Sequence, residues 1–427
     1  MQQLLDRTKA PAMQVIPSIP ILDIDKSKLS NGVDFFSLAQ PSFKTISFEV
    51  CIPKDYSRSR NYALGYLATR MLQEGTNNLD SEQIAEQIAA NGAFFEVNYS
   101  NDYISLQLYC LQPFFEDLLH LVYHILYSPS FPDKEFENLK SRYIQQFQTN
   151  IEKTSYLASV HSKQLFFGQD HAYTTNTSVQ DIETIQLEDI KDYYQQVILA
   201  AKPTVYLTGE FGHKEIDCVE EIFGKGVINE SYNHALERQT QKSVGERFIH
   251  KENAVQNTLA IVGSSVLKTH EDYHKLMITN EILGGFFGSR LMKNIREDKG
   301  FTYGIYSKVV SLKHDAYFYI GADLKPSFVS PCIDEIKKEI NVLREEKVLA
   351  AELEILKNYL LGRFSASLNS VYDHMKKRKA IQNLRLKDSF YDEYLNTVKQ
   401  ISTTDIMEMA QKYLNFDQFL VLNVGVQ

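Results

Sequence analysis

The stretch Ile282-Leu283-Gly284-Gly285-Phe286-Phe287-Gly288-Ser289-Arg290-Leu291-Met292-Lys293-Asn294-Ile295-Arg296-Glu297-Asp298-Lys299-Gly300-Phe301-Thr302-Tyr303 decides how the rest of the chain is read. Its glycines permit sharp turns or close backbone approach. They lead into a short helix on which Leu291, Met292 and Ile295 share an apolar side. Arg296 falls near the end of that helix, and Gly300 is suited to stop it in the left-handed conformation. Phe301, Tyr303 and Ile305 then alternate as in a half-buried strand, so Arg296 and Tyr303 flank one helix-to-strand corner. No G-x-x-x-x-G-K-[ST] pattern follows the glycines, which argues against a phosphate loop.

Working outward, the chain repeats itself. Glu137-Asn138-Leu139-Lys140, with Phe147 ten residues after Glu137, has a counterpart 217 residues on in Glu354-Ile355-Leu356-Lys357, with Phe364. The helix around Ile190 followed by Val205 to Gly209 recurs, at offset 216, as the helix around Ile406 followed by Val421 to Gly425. Gly92 corresponds to Gly300 at offset 208. Three matches in one order predict two related domains, residues 1–215 and 245–427, joined by a polar linker over 216–244. In the first half, alternation predicts strands at Val33–Leu38, Ile46–Ile52, Phe95–Tyr99, Tyr103–Cys110 and Thr204–Thr208. Between them, helices are expected over Arg60–Gln73, from Ser81 with a cap at Asp80 or Ser81, after Pro113, and over Glu135–Gln148 and Glu188–Gln196. The fold class is α+β, each half an antiparallel sheet with helices packed on one side.

Composition narrows the function. Of 427 residues 44% are hydrophobic and 23% charged, a globular balance too long for one ordinary core. The net charge of -9, with no long Lys/Arg run, argues against a nucleic-acid partner. Cys51, Cys110, Cys218 and Cys332 are far apart and fit a reducing compartment. No basic-then-apolar leader and no membrane-length apolar run is seen, so a cytoplasmic protein is expected.

With the Ser289-Arg290-Leu291 to Tyr303 segment in a duplicated chain of this length, the sequence resembles the insulinase/pitrilysin family of zinc peptidases, whose ancient relatives include mitochondrial processing peptidase. The likeness covers nearly the whole chain. In that family an inverted H-x-x-E-H motif lies on a helix just before a Gly-Thr break. Here the helix reads Tyr66-Leu67-Ala68-Thr69-Arg70-Met71-Leu72-Gln73-Glu74-Gly75-Thr76. Tyr66 and Arg70 take the histidine positions, Thr69 takes that of the water-activating glutamate, and the downstream carboxylate registers on Gln146.

Zinc requires lone pairs from imidazole, thiolate or carboxylate. Arg70 is permanently protonated and has no acceptor. Thr69 is no general base near neutral pH, and Gln146 offers only a neutral amide oxygen. No metal is therefore expected in this chain. His120 and His124 share a helix face at the spacing of zinc ligands, but they interleave with apolar residues of the Pro113 helix and read as packing or surface residues. His161 and His171 form no local motif.

In two-chain members of the resembled family, one subunit carries the metal and the other supplies an Arg/Tyr pair across an enclosed chamber. The resemblance thus implies a non-zinc-binding subunit, inactive alone, paired with a homologous H-x-x-E-H chain that holds zinc and acting on peptides. Arg296 and Tyr303 become trans-acting contacts to substrate and to the oxyanion of the transition state. Both also have ordinary readings, since a helix C-terminus favours Arg and a strand favours Tyr. Arg70 has two readings, a surface or salt-bridged helix residue or, with Tyr66, the filling of a vacated cleft. Ala93 to Asn98 resembles the family's peptide-binding edge strand, with Glu96 where Asn is usual. Two rival readings stand: a structural or peptide-binding scaffold without peptidase role, and an independent zinc enzyme with unusual ligands.

Overall fold

The computed structural model of the protein describes residue 8 and residues 19–54, 61–225 and 242–427. The first half runs β1 (Asp25–Lys28), β2 (Asp34–Ala39), β3 (Thr45–Pro53), α1 (Tyr62–Met71), α2 (Ser81–Ala90), β4 (Phe94–Tyr99), β5 (Tyr103–Leu111), α3 (Phe115–Tyr127), α4 (Asp133–Ile151), α5 (Thr154–Phe167), α6 (Val179–Thr184), α7 (Leu187–Tyr193), β6 (Thr204–Gly209) and α8 (His213–Phe223). The second runs β7 (Gly245–His250), β8 (Asn257–Ser264), α9 (Tyr273–Asn280), β9 (Ile305–Ser311), β10 (Ala316–Leu324), α10 (Val329–Glu345), α11 (Ala350–Ala366), α12 (Val371–Asn383), α13 (Phe390–Gln400), α14 (Thr403–Tyr413) and β11 (Leu420–Gly425).

The strand orders are β1-β2-β6-β3-β5-β4 and β7-β11-β8-β10-β9. Apart from the added edge strand β1, the second order repeats the first strand for strand. Each sheet is antiparallel but for one parallel pair, β2 with β6 and β7 with β11. Gly92 and Gly300, matched in the sequence, both adopt a left-handed backbone, at φ +58° and +65°. The α+β reading of two related halves holds, and each sheet is mixed rather than purely antiparallel.

Local chemistry explains the boundaries. Asn61 caps α1 by accepting from the Leu64 N–H, and Asp80 forms a reciprocal capping box with Gln83 at the start of α2. Arg60, expected as the first residue of α1, lies outside the described residues. Asp25–Lys28 adds to the sheet edge through pairing with β2. α8 buries Val219, Ile222 and Phe223 in the first core, so the first half continues past 215, and residues 226–241 of the expected linker lie outside the described residues.

One face of each sheet packs against helices of its own half. The other face is covered by a helix from the opposite half. α12 lays Val371 and Met375 on Phe36, Leu38 and Tyr206 of the first sheet. α5 lays Ala158, Phe166 and Phe167 on Ala260, Val262, Leu420 and Leu422 of the second. Polar pins fix both crossings. Lys379 on α12 reaches the buried Glu49 carboxylate on β3 at 2.6 and 2.8 Å, and the Tyr206 hydroxyl donates to Asn383 Oδ1 at 2.9 Å. The Thr154 and Thr258 hydroxyls meet at 2.9 Å. Between the halves, Asp102 accepts from the Lys313 N–H at 3.2 Å, and the Tyr173 hydroxyl, which donates to Asp102 at 2.7 Å, accepts from the His314 N–H at 3.1 Å.

Candidate functional site

α1 carries Tyr66, Thr69 and Arg70 toward β4, the free edge of the first sheet. Thr69 is fully buried and its hydroxyl has no hydrogen-bond partner among the described residues. Tyr66 stacks on Tyr143 of α4, ring centroids 4.6 Å apart at 26°. Arg70 lies with its guanidinium carbon 6.0 Å from the Tyr66 ring centroid, and its Nη1 donates to the Val97 carbonyl at 3.0 Å. The packing is close enough that a Cβ on Gly65 would stand 2.2 Å from the Tyr99 hydroxyl.

Gln146, the position registered for a downstream carboxylate, is exposed; the residue of α4 that meets Tyr66 is Tyr143, one turn earlier. The signal was in the helix period: Phe147 is buried, and Tyr143 at i−4 shares its side of the helix, whereas Gln146 does not. These side chains do not fit zinc. They offer a guanidinium that can only donate, a buried hydroxyl and a stacked phenol. Glu74 belongs to the same neighbourhood, its pKa raised by burial against the opposing pull of Arg142 and Arg70. Among the described residues no group of three or more His, Cys, Asp or Glu side chains is placed to hold a metal. His120 is exposed and His124 half-buried against Tyr123, whereas His171 meets Asp315 at 3.4 Å. The four cysteines are unpaired, and burial pushes Cys51, Cys110 and Cys332 up to about 12, far from thiolate chemistry at neutral pH.

The Val97 carbonyl is no ordinary rung of the ladder. Ser100 N–H donates to the Tyr103 carbonyl at 2.9 Å, which fixes one hydrogen-bonded rung of the β4–β5 hairpin. Counting back in twos, Asn98 and Glu96 make the inward bonds, and Val97 turns its carbonyl to the open edge. Arg70 therefore caps a group that an added strand would use.

Arg296 and Tyr303 lie in the second half, on either side of the left-handed Gly300. The helix before it is wound wide, with π-helical turns over Glu281–Gly285 and Met292–Asp298; such turns concentrate at functional sites. Arg296 is half-buried, its guanidinium carbon 4.8 Å from the Phe287 ring centroid, and it has no ion pair among the described residues. The expected strand through Phe301 and Tyr303 is not formed, and β9 begins only at Ile305. The reason is Thr302, whose hydroxyl bonds the Asp323 carbonyl at 2.7 Å and accepts from the Gly304 N–H at 3.2 Å, closing a tight loop instead of a ladder. Phe301 anchors the loop by stacking on Phe328 at 4.9 Å. Tyr303, held between these anchors, is 92% exposed. Phe287 and Thr302 were missed in the sequence because neither carries chemistry by type; one shields the cation and the other shapes the loop.

Beside Gly304 a cavity of about 220 Å³ opens between α5 of the first half and β9–β10 of the second. Ser155, Ser159 and Lys163 line one wall, Tyr306, Lys308 and Tyr319 the other. Burial depresses the pKa of both lysines, and Lys308 adds repulsion at Lys163.

Known proteins resemble this chain in sequence and fold. An insulinase (peptidase family M16) model matches residues 55–166, and a model of the peptidase M16 inactive domain matches residues 184–360. A non-peptidase homologue, YmxG, of Helicobacter pylori (strain ATCC 700392 / 26695) is 23% identical over 370 residues, spanning 84% of this chain and 83% of the relative. A probable inactive metalloprotease, YmfF, of Bacillus subtilis (strain 168) is 22% identical over 318 residues, 70% of this chain and 71% of its own. An uncharacterized zinc protease of the latter organism, also named YmxG, is 19% identical over 402 residues, 93% of this chain and 98% of its own. The crystal structure of a peptidase M16 inactive domain from Pseudomonas fluorescens superposes with a TM-score of 0.85 at 20% identity, covering 95% of this chain and 99% of that one. A protease from Helicobacter pylori gives 0.84 at 16% identity, over 95% and 100%. The resemblance read from the Arg296–Tyr303 segment is thus borne out along both halves, and the chain belongs to the insulinase (M16) family of peptidases, among its inactive homologues.

Proposed function

We propose that this chain is the non-zinc-binding subunit of a two-subunit peptidase and works with a homologous H-x-x-E-H subunit that holds zinc and encloses peptides with it. Arg296 and Tyr303 contact the substrate carbonyl and the oxyanion formed on it. The observation that supports this reading is the presentation of Tyr303: a phenol 92% exposed on a loop shaped by Thr302, seven residues after a half-buried Arg296 that faces the Phe287 ring and has no ion pair among the described residues. The test is reconstitution. The purified chain alone hydrolyses no unfolded peptide; mixed with the zinc-binding homologue it restores chelator-sensitive turnover. Turnover by the isolated chain, or no gain on mixing, would overturn the proposal. A scaffold without peptidase role is the second reading, favoured by one observation, the capped edge carbonyl of Val97.

A further inference from the structure

A second cavity, of about 380 Å³, lies wholly among helices of the second half, at the junction of α9, α11, α12 and α13. Its apolar wall is a chain of rings. Phe364 contacts Tyr391 and Tyr394 at 5.8 and 5.7 Å, Phe390 contacts Tyr391 at 5.1 Å, and Tyr273 contacts Phe390 at 6.1 Å. Flat rings so joined make a slot that takes another flat group. The size falls at the small end of the range for small-molecule sites.

The polar groups on the slot are cationic. Arg363 is neutralised by a forked pair to Glu281, at 2.7 and 3.1 Å. Lys268 and Lys377 have no carboxylate partner among the described residues. Lys377 Nζ stands 5.2 Å from the Phe364 ring centroid and 5.3 Å from that of Tyr391, placing its charge against the ring wall. The acid nearest in sequence, Asp373, is engaged by the Ser370 hydroxyl at 2.7 Å in the cap of α12. His274, 9% exposed, adds a buried Nδ1 with no hydrogen-bond partner among the described residues. Burial lowers the pKa of Lys268 and Lys377, and at Lys377 the charges of Lys376, Lys268 and Arg363 push the same way, with Asp373 opposing them. Two half-buried cations repelling one another over an aromatic floor are relieved by one anion.

From this geometry we infer a binding site for a planar aromatic anion, its ring in the slot and its carboxylate, sulfonate or phosphate between Lys268 and Lys377. The site shares no residue with the Arg296–Tyr303 corner. The same chemistry is offered by a free aromatic acid and by the C-terminal aromatic residue of a peptide.

Calorimetric titration of the full chain with 1-naphthoate, 1-naphthamide and N-acetylphenylalanine tests the site. The naphthoate binds about tenfold tighter than the isosteric neutral amide. Lys268→Met and Lys377→Met, which keep the apolar stems, each weaken naphthoate and leave the amide unchanged, and the double variant abolishes the preference. Tighter binding of N-acetylphenylalanine than of naphthoate assigns the site to peptide C-termini; weaker binding assigns it to free aromatic acids. Equal affinity for naphthoate and naphthamide, or a preference that survives both lysine substitutions, overturns the inference.

Discussion

Arg70 Nη1 donates to the carbonyl of Val97 at 3.0 Å, joining the helix that would bear zinc ligands to the strand that would bear substrate. One side chain thus removes a ligand position and occupies the outward acceptor of β4. Arg70→Ala gives this carbonyl to water and is expected to lower stability by about 1–2 kcal/mol in urea unfolding, as for a hydrogen bond from a charged group. It should also raise the affinity of the chain for extended peptides, measured by fluorescence anisotropy. No change in either quantity would show the contact to be idle.

At the other corner, Arg296→Ala and Tyr303→Phe are expected to reduce kcat of the reconstituted peptidase by about tenfold to a thousandfold, the scale of a lost oxyanion donor. Tyr303 is 92% exposed, so the stability of Tyr303→Phe in urea should stay within about 0.5 kcal/mol of the parent. Lost stability with unaltered kcat would return the pair to a structural role.

The grip of α12 on the first sheet rests on Lys379 and Glu49, the latter only 6% exposed. Lys379→Met leaves a carboxylate buried without its cation and should cost about 3 kcal/mol. Adding Glu49→Leu should restore most of that loss, because the penalty lies in the orphaned charge rather than in the missing attraction. A double-mutant cycle by urea unfolding separates the two, and simple additivity would refute the argument.

Lys54 gives the chain a pH dependence. Its ammonium is buried, donates to the Ser100 carbonyl at 2.9 Å and lies 3.8 Å from the Tyr99 ring centroid. Burial lowers its pKa to about 7, with Asp102 opposing the shift. Below pH 7 both folded and unfolded chains hold the proton and the folded state bears the full desolvation cost. As pH rises toward 10.5, the unfolded chain keeps a proton that the folded chain has released, so this group's contribution to stability improves. Between pH 7 and 9 the parent should gain about 2 kcal/mol relative to Lys54→Met. Parallel curves for the two proteins would contradict it.

Much of this structure was readable in advance, for physical reasons that differ by element. Strands such as β3 and β5 announce themselves by alternation, because a sheet face repeats every second residue. The duplication was visible because equivalent positions carry equivalent backbone demands, as at Gly92 and Gly300. α5 was not read as a helix. Ala158, Ser162, Phe166 and Phe167 are buried against the second sheet while Tyr156 meets Phe147 of the first half, so no polar stripe marks its period. The corner was read correctly as far as Gly300 and wrongly beyond it, since Phe301 and Tyr303 alternate as a strand would while the Thr302 hydroxyl diverts the backbone. Arg70 was readable as a residue incompatible with zinc; its bond to Val97 was not, because nothing local in the sequence brings α1 against the edge of β4.

The crossing of α5 and α12 has a consequence for synthesis. Phe36, Leu38 and Tyr206 emerge from the ribosome long before Val371 and Met375 exist to cover them. From the completion of β6 at Gly209 to the start of α12 at Val371, somewhat over a third of translation, that apolar sheet face has no covering helix from its own chain, and a partly made chain in this state is exposed to aggregation.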